Sequence, residues 1–205
     1  MTRIGLVNTD YKKLDREFYL RDTIKIAKDL LGEYLIRKYM GKLLVGKIVE
    51  TEAYLHNDIA SHSFRGKTKR NEVMFWQGGH LYVYFTYGMH YCCNVVTEEE
   101  DQGCAVLIRA VEPVENIEFM KTHRKIGTSK NIHNLTNGPA KVCQAFALGR
   151  NENGTDLCGD EIWIGKSEIR NPKSEIISSS RVGITNGSEH MWRFYIKDNK
   201  WVSRK

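Results

Sequence analysis

The sequence predicts an α+β fold: a single domain on a mostly antiparallel β-sheet, with surrounding helices and a protruding β-hairpin. Three observations predict it. The chain has 205 residues, 41% hydrophobic and 27% charged, enough for one core of ordinary composition. Most of its apolar runs are strand-length and closed by short turns, such as Met40-Gly41 and the one at Gly88. No internal repeat, low-complexity tract or linker divides it, so residues 1–205 read as one domain.

Residues 1–20 read as an irregular N-terminal arm with a polar surface. Asp22 is placed to cap a helix from Thr23 to Leu31, with Ile24, Ala27, Leu30 and Leu31 on one face and Gly32 as its stop. Tyr34 to Leu55 reads as two strands turned at Met40-Gly41. Residues 56–78 are polar and basic without sustained periodicity, which predicts a long functional loop. Leu81–Tyr87 and Tyr91–Thr97 form the hairpin, turned at Gly88, where glycine can take positive φ. An acidic turn, Glu98–Gly103, leads into a strand over Cys104–Ala110.

Pro113 suits the first position of a helix running to Arg124, with acids early and bases late. After a polar loop, Pro139 opens another helix, ending near Leu148 with Gly149 as the stop. A turn-rich stretch precedes a strand over Glu161–Gly165. Residues 166–190 are polar apart from one apolar kernel, Arg181–Ile184. Trp192–Lys197 is the last strand, and residues 198–205 form a short tail.

The net charge of +6 favours an anionic partner such as nucleic acid, though many basic proteins bind none. The five cysteines form no C-x-x-C pair and read as reduced, buried thiols. The seven histidines show no metal-ligand spacing, so no metal site and no cofactor is expected. No run approaches a membrane span, and the first residues lack the apolar stretch of a secretion signal. A cytoplasmic protein, at work on a bacterial nucleoid or in a nucleus, is expected.

Chemistry concentrates between Gly46 and Arg109. In Ile48–Tyr54, IVETEAY, alternation should put Ile48, Glu50, Glu52 and Tyr54 on one face. A carboxylate in a partly closed pocket can act as general base on water, as hydrolysis of a glycosidic bond requires. A surface pair on an edge strand would explain the two glutamates equally well. Tyr87 precedes Gly88 at the predicted hairpin tip and could wedge between stacked bases, or simply cap the hairpin. His62 is either a surface histidine or a donor to a base edge or phosphate. Lys67, Lys69 and Arg70 could neutralise phosphates or form a solvated charge run. Arg109 ends an apolar strand and needs a partner, for which a catalytic carboxylate is suited.

Taken together, VETEAY, ASHS, RNEVMF, GHLYVYFTYGMHYCCNVV, AVLIRAVEP, NGPAKVCQAFAL and RVGI resemble the alkyladenine (3-methyladenine) DNA glycosylase family. The resemblance runs from Glu17 to about Trp201. It implies a curved antiparallel sheet and an enzyme that flips a damaged purine from duplex DNA and hydrolyses its N-glycosidic bond. By motif, Glu52 is similar to the general base, and Arg109 to the residue holding water and carboxylate. The backbone carbonyl of Val182 would complete that cradle. Tyr54 and Tyr84 resemble aromatic walls of the base pocket, His62 a group stacking opposite, and Asn94 a steric bar to the amino group of guanine. Tyr87 resembles the intercalating residue. DNA-backbone contacts are expected at Lys67, Arg70, Gly88, Met89 and Lys141.

The implied partner is double-stranded DNA containing damaged purines, bound by a monomer, with no membrane. The loop after Tyr54 is one residue shorter than in vertebrate members, and the Glu98–Gly103 turn is longer and more acidic. Two other readings stay open. A binding module would keep the pocket without the chemistry, and a hydrolase of free nucleosides would leave Tyr87 and the basic loop idle.

Overall fold

A computed structural model describes residues 11–126, 131–166 and 175–204 of the protein. Among these residues, the strands β1 (Tyr34–Tyr39), β2 (Lys42–Tyr54), β3 (Leu81–Thr86), β4 (His90–Thr97), β5 (Cys104–Glu115), β6 (Ile162–Gly165), β7 (Ile176–Ser179) and β8 (Arg193–Ile196) form one curled antiparallel sheet, a half-barrel. The order is β3-β4-β5-β2-β1-β6, with β8 on β2 and β7 on β8. The predicted α+β class and its antiparallel sheet are what the structure has.

β2 is the spine. Along one edge it pairs with β5 nearly throughout; along the other it pairs first with β1, through Lys42–Lys47, and then with β8, through Glu50–Glu52. The change of partner coincides with a register shift against β5 between Ile48 and Glu50 and another between Glu50 and Thr51. Such bulges bend a strand and increase its twist, which curls the sheet toward β8. They also reset the alternation. Ile48, expected on the face of the glutamates, joins the main core with Val49 and Ala53.

Local chemistry sets the turns. Met40 and Gly41 both take positive φ, as a two-residue hairpin turn demands. α2 (Thr23–Asp29) starts where expected, the Asp22 carboxylate accepting from the Lys25 N–H. Its end is tied to β2, where the Thr51 hydroxyl donates to the Ala27 carbonyl at 2.7 Å.

Three further expectations change. The arm is not irregular where it is described: α1 (Arg16–Tyr19) is capped by Asp15, and Leu14 and Tyr19 are buried in the core. Residues 1–10 lie outside the described residues. Pro113 does not start a helix, because β5 continues through it opposite Gly46. The Val111 N–H on that strand's outer edge is taken by the Thr136 carbonyl, and Pro113, two residues on, has no N–H to leave unmet. α3 (Ile117–Arg124) begins only after Asn116 turns left-handed.

α4 (Pro139–Ala145) starts at the expected proline but stops early. Ala147 takes a left-handed φ of 54°, and the Ala147 and Leu148 N–H groups close onto the Gln144 and Cys143 carbonyls. This is the glycine-type helix stop made with alanine, so Gly149 misled the reading. Within the stretch read only as polar with an apolar kernel, Ile176–Ser179 forms β7; its strand form rests on pairing with β8.

The loop of residues 56–78 is a fixed wall. It carries a 3-10 turn, Glu72–Phe75, whose Val73, Met74 and Phe75 pack with Tyr82, Val96 and Ala105 in a second small core. Ser63 donates to the Gly103 carbonyl at 2.6 Å, and the Asn71 amide to the His62 and Gly66 carbonyls. No helix of the described residues is long and apolar enough to cross a membrane.

The arm closes tightly over Gly78. A Cβ there would stand 2.5 Å from the Tyr19 carbonyl oxygen and 2.9 Å from that of Glu98. Gly78→Ala is therefore expected to cost about 1–3 kcal/mol, read as a lower urea midpoint with an unchanged slope. An unaltered midpoint would mean that the arm yields freely.

Candidate active site

One face of the sheet carries a cleft of about 250 Å³, lined among others by Glu52, Tyr54, His62, Tyr82, Tyr84, Asn94 and Arg109. β2 presents Glu52 and Tyr54 to it, β5 presents Arg109, and β3 and β4 supply aromatic and polar walls. The segment after β7 brings in Val182, Gly183 and Ile184.

Glu52 has no exposed surface. Its Oε1 accepts from the Val182 N–H at 2.8 Å and lies 3.4 Å from Arg109 Nη1; its Oε2 accepts from the Tyr54 hydroxyl at 2.9 Å. Two donors and a guanidinium, on three segments, fix one carboxylate. Glu50 is equally buried, and Arg109 Nε lies 3.2 Å from its Oε1. The two glutamates are thus not a surface pair on an edge strand. Both sit on the central strand and share one guanidinium. The Val182 contact with Glu52 runs through the N–H, whereas the expected contribution was its carbonyl.

The pocket walls are neutral. Burial, and then the Glu52 charge, push the Tyr54 phenol far up, so it serves as a donor. The Arg181 guanidinium sits over its ring, 4.6 Å from the centroid. Burial also pushes Tyr84 far up, Tyr82 to about 12 and the Cys92 thiol to about 11. His62 lies 3.0 Å by its Nδ1 from the Tyr82 hydroxyl. Burial first, and then Arg70, pull its imidazole below the usual range. Its ring meets Tyr84 edge-on, 4.4 Å between centroids at 75°. Asn94 is buried and donates to the Tyr82 carbonyl at 3.1 Å.

Tyr87 stands at the mouth of the cleft, 85% exposed, with a left-handed φ of 50° followed by Gly88 at 67°. Met89 beside it is 67% exposed. The expected backbone-binding cations have partners of their own: Lys67 lies 3.5 Å from Asp101, Arg70 donates to the Phe85 carbonyl, and Lys141 to Asn137.

The sequence reading missed several members. Tyr82 was legible by alternation, since it shares the face of Tyr84. Arg181 was noted only as part of an apolar kernel. It is fully buried with Asp58, whose Oδ1 accepts from its Nη2 at 2.9 Å, and it also donates to the Ala53 and Gly187 carbonyls. This pair clamps the segment carrying Val182 onto β2 and the loop of residues 56–78. Arg193 and Ser203 both bond Glu50, and no local signal marked either.

Comparison with known proteins gives a consistent set of likenesses. A family model described as methylpurine-DNA glycosylase matches residues 17–200. A protein of Carboxydothermus hydrogenoformans named "Putative 3-methyladenine DNA glycosylase" is 53% identical, over 94% of this chain and 99% of its own length. Proteins of the same name from Alkaliphilus oremlandii and Clostridium novyi are 46% and 47% identical, over 94% and 95% of this chain and the whole of their own lengths.

Two outcomes test this geometry. Asp58→Ala leaves the buried Arg181 cation unpaired and is expected to cost about 3–5 kcal/mol, read in urea unfolding; a loss below 1 kcal/mol would mean that water reaches the pair. The depressed His62 binds its proton less readily folded than unfolded. Its contribution to stability is therefore complete above the ordinary imidazole range and is lost as the pH falls through its folded value. Stability should fall less steeply with acid in His62→Gln than in the parent, and equal slopes would contradict the burial argument.

Proposed function

The chain belongs to the methylpurine-DNA glycosylase family, and from that premise we propose that it flips alkylated or deaminated purines from duplex DNA and hydrolyses their N-glycosidic bond with water activated by Glu52. It is a monofunctional DNA glycosylase of base-excision repair, a hydrolase acting on N-glycosyl bonds in DNA. The lesions proposed are 3-methyladenine, 7-methylguanine, hypoxanthine and ethenoadenine.

The observation that carries the reading is the fixed Glu52 carboxylate at the floor of an aromatic cleft. The C1′–N bond breaks with its electron pair leaving on the purine. The water oxygen bonds C1′, and Glu52 takes the water's proton, leaving an abasic site. The sugar acquires oxocarbenium character on the way, which the same carboxylate stabilises. A purine alkylated at N3 or N7 carries a positive charge that the leaving electron pair neutralises; hypoxanthine and ethenoadenine need a proton first.

Arg109 and the Val182 backbone hold the carboxylate and its water in this reading. Tyr54, Tyr84 and His62 enclose the base, and a cationic base gains from their π faces. Asn94 narrows the pocket against the amino group of guanine. Tyr87 fills the gap in the helix, a role supported by its exposure at the hairpin tip. Lys67, Arg70, Gly88, Met89 and Lys141 meet the DNA backbone, and one protein molecule acts alone. Hydrolysis of free nucleosides gives no use for an aromatic ring held out at the cleft mouth.

The test is excision from a labelled duplex holding one hypoxanthine or one ethenoadenine. Glu52→Gln is expected to lower the rate by about 10²–10⁴-fold with duplex affinity nearly intact; undiminished turnover would remove Glu52 from its role. Tyr87→Ser should slow excision from duplex more than from single strands, and equal losses would count against the wedge. Affinity for DNA should fall steeply with salt, and Lys67→Ala should reduce the log–log slope by about one.

A further inference from the structure

Glu50 is fully buried, yet nothing in the proposed chemistry uses it. Its Oε1 takes Arg193 Nε at 2.6 Å and the Ser203 hydroxyl at 2.9 Å, and its Oε2 takes the Ser203 N–H at 2.7 Å. Arg193 comes from β8 and also donates to the Ser179 hydroxyl and the Arg204 carbonyl. Arg109 donates its Nε–H to the Ser203 hydroxyl at 3.0 Å and sits between both carboxylates. Its guanidinium is thus gripped by Glu50 and Ser203 at one end and reaches Glu52 from the other.

The formal charges are two carboxylates against two guanidiniums, which sum to zero. The surroundings leave that balance undisturbed. Tyr54 from β2 is a neutral donor, Arg181 is matched by Asp58, and Tyr195 of β8 offers its ring to Arg193 at 4.7 Å. Tyr84 from β3, Cys92 from β4 and His62 from the loop are neutral near physiological pH, the first two pushed up and the third down by burial. The field at Glu52 is therefore set chiefly by Glu50, Arg109 and Arg193.

We infer that Glu50 and Arg193 are positioning residues for base excision: as a matched pair they hold Arg109 against Glu52 and keep the charge around Glu52 balanced. The inference rests on the reading of Glu52 as the group that activates water. Removing Arg193 alone leaves the site with an excess negative charge and makes Glu52 harder to ionise. Removing the charge of Glu50 alone does the opposite. Removing both restores the balance.

The experiment is the pH profile of single-turnover excision from a duplex carrying one 7-methylguanine, a cationic base that needs no acid to leave. In Arg193→Gln the acid limb should move up by about one pH unit, and in Glu50→Gln down by about one. The double variant should return it close to the parent's position. Binding to undamaged duplex checks that each variant is folded. Should Arg193→Gln not fold, Glu50→Gln and the double variant still decide, since the downward shift must occur in the first and vanish in the second. Limbs that stay together, or that shift the same way, would overturn the inference. Glu52→Gln run alongside separates the two ideas: activity retained there sinks the reading of Glu52, whereas activity lost there with unmoved limbs sinks only the role of Glu50 and Arg193.

Discussion

Two carboxylates sealed from water on one central strand are the constraint on which this site depends. A buried charge with no partner costs several kcal/mol, so Glu50 and Glu52 dictate where cations and N–H donors must come from. β5 supplies Arg109, β8 supplies Arg193, and the segment after β7 supplies the Val182 N–H. These pieces are far apart in sequence. β5 and β8 flank the same short stretch of β2 on its two edges, and the register shifts around Glu50 lie where β8 takes over that edge from β1.

Around that charged floor the tyrosine, cysteine and histidine walls are kept neutral. The tyrosine hydroxyls and the Cys92 thiol are held protonated by burial, and His62 is held uncharged by the same cause. A cationic purine entering the cleft would meet π faces before it met a carboxylate, with no competing ammonium or imidazolium among the wall groups. Polar side chains brace the loop of residues 56–78: Ser63 ties it to Gly103, Asp58 to Arg181, and Asn71 ties it to itself at His62 and Gly66.

How much of this the sequence disclosed depended on the range of the forces involved. Strands and turns read correctly where local chemistry decides, as at Asp22, Met40-Gly41 and Tyr87-Gly88. Glu52, Tyr54, Tyr84, Asn94 and Arg109 were marked by alternation and motif, and all line the cleft. What stayed hidden was decided at long range. Pro113 lies in a strand because β2 is there to pair with it, and β7 is a strand because β8 is. Ile48 changed face because the register shift toward Glu50 is invisible to a rule of two. Arg193 and Ser203 reach Glu50 across more than 140 positions, a partnership that no local pattern encodes.

The turn at Tyr87 has a consequence for anyone selecting sturdier variants. An aromatic residue in the left-handed region, with its ring in water, is strained by about 1–2 kcal/mol and has little packing to offset it. Asparagine or glycine would relieve that strain in the free protein. A screen that rewards heat resistance alone would therefore drift toward such substitutions and discard the ring at the cleft mouth without registering a defect. The hairpin tip is a position where thermal selection and the work on DNA pull against each other.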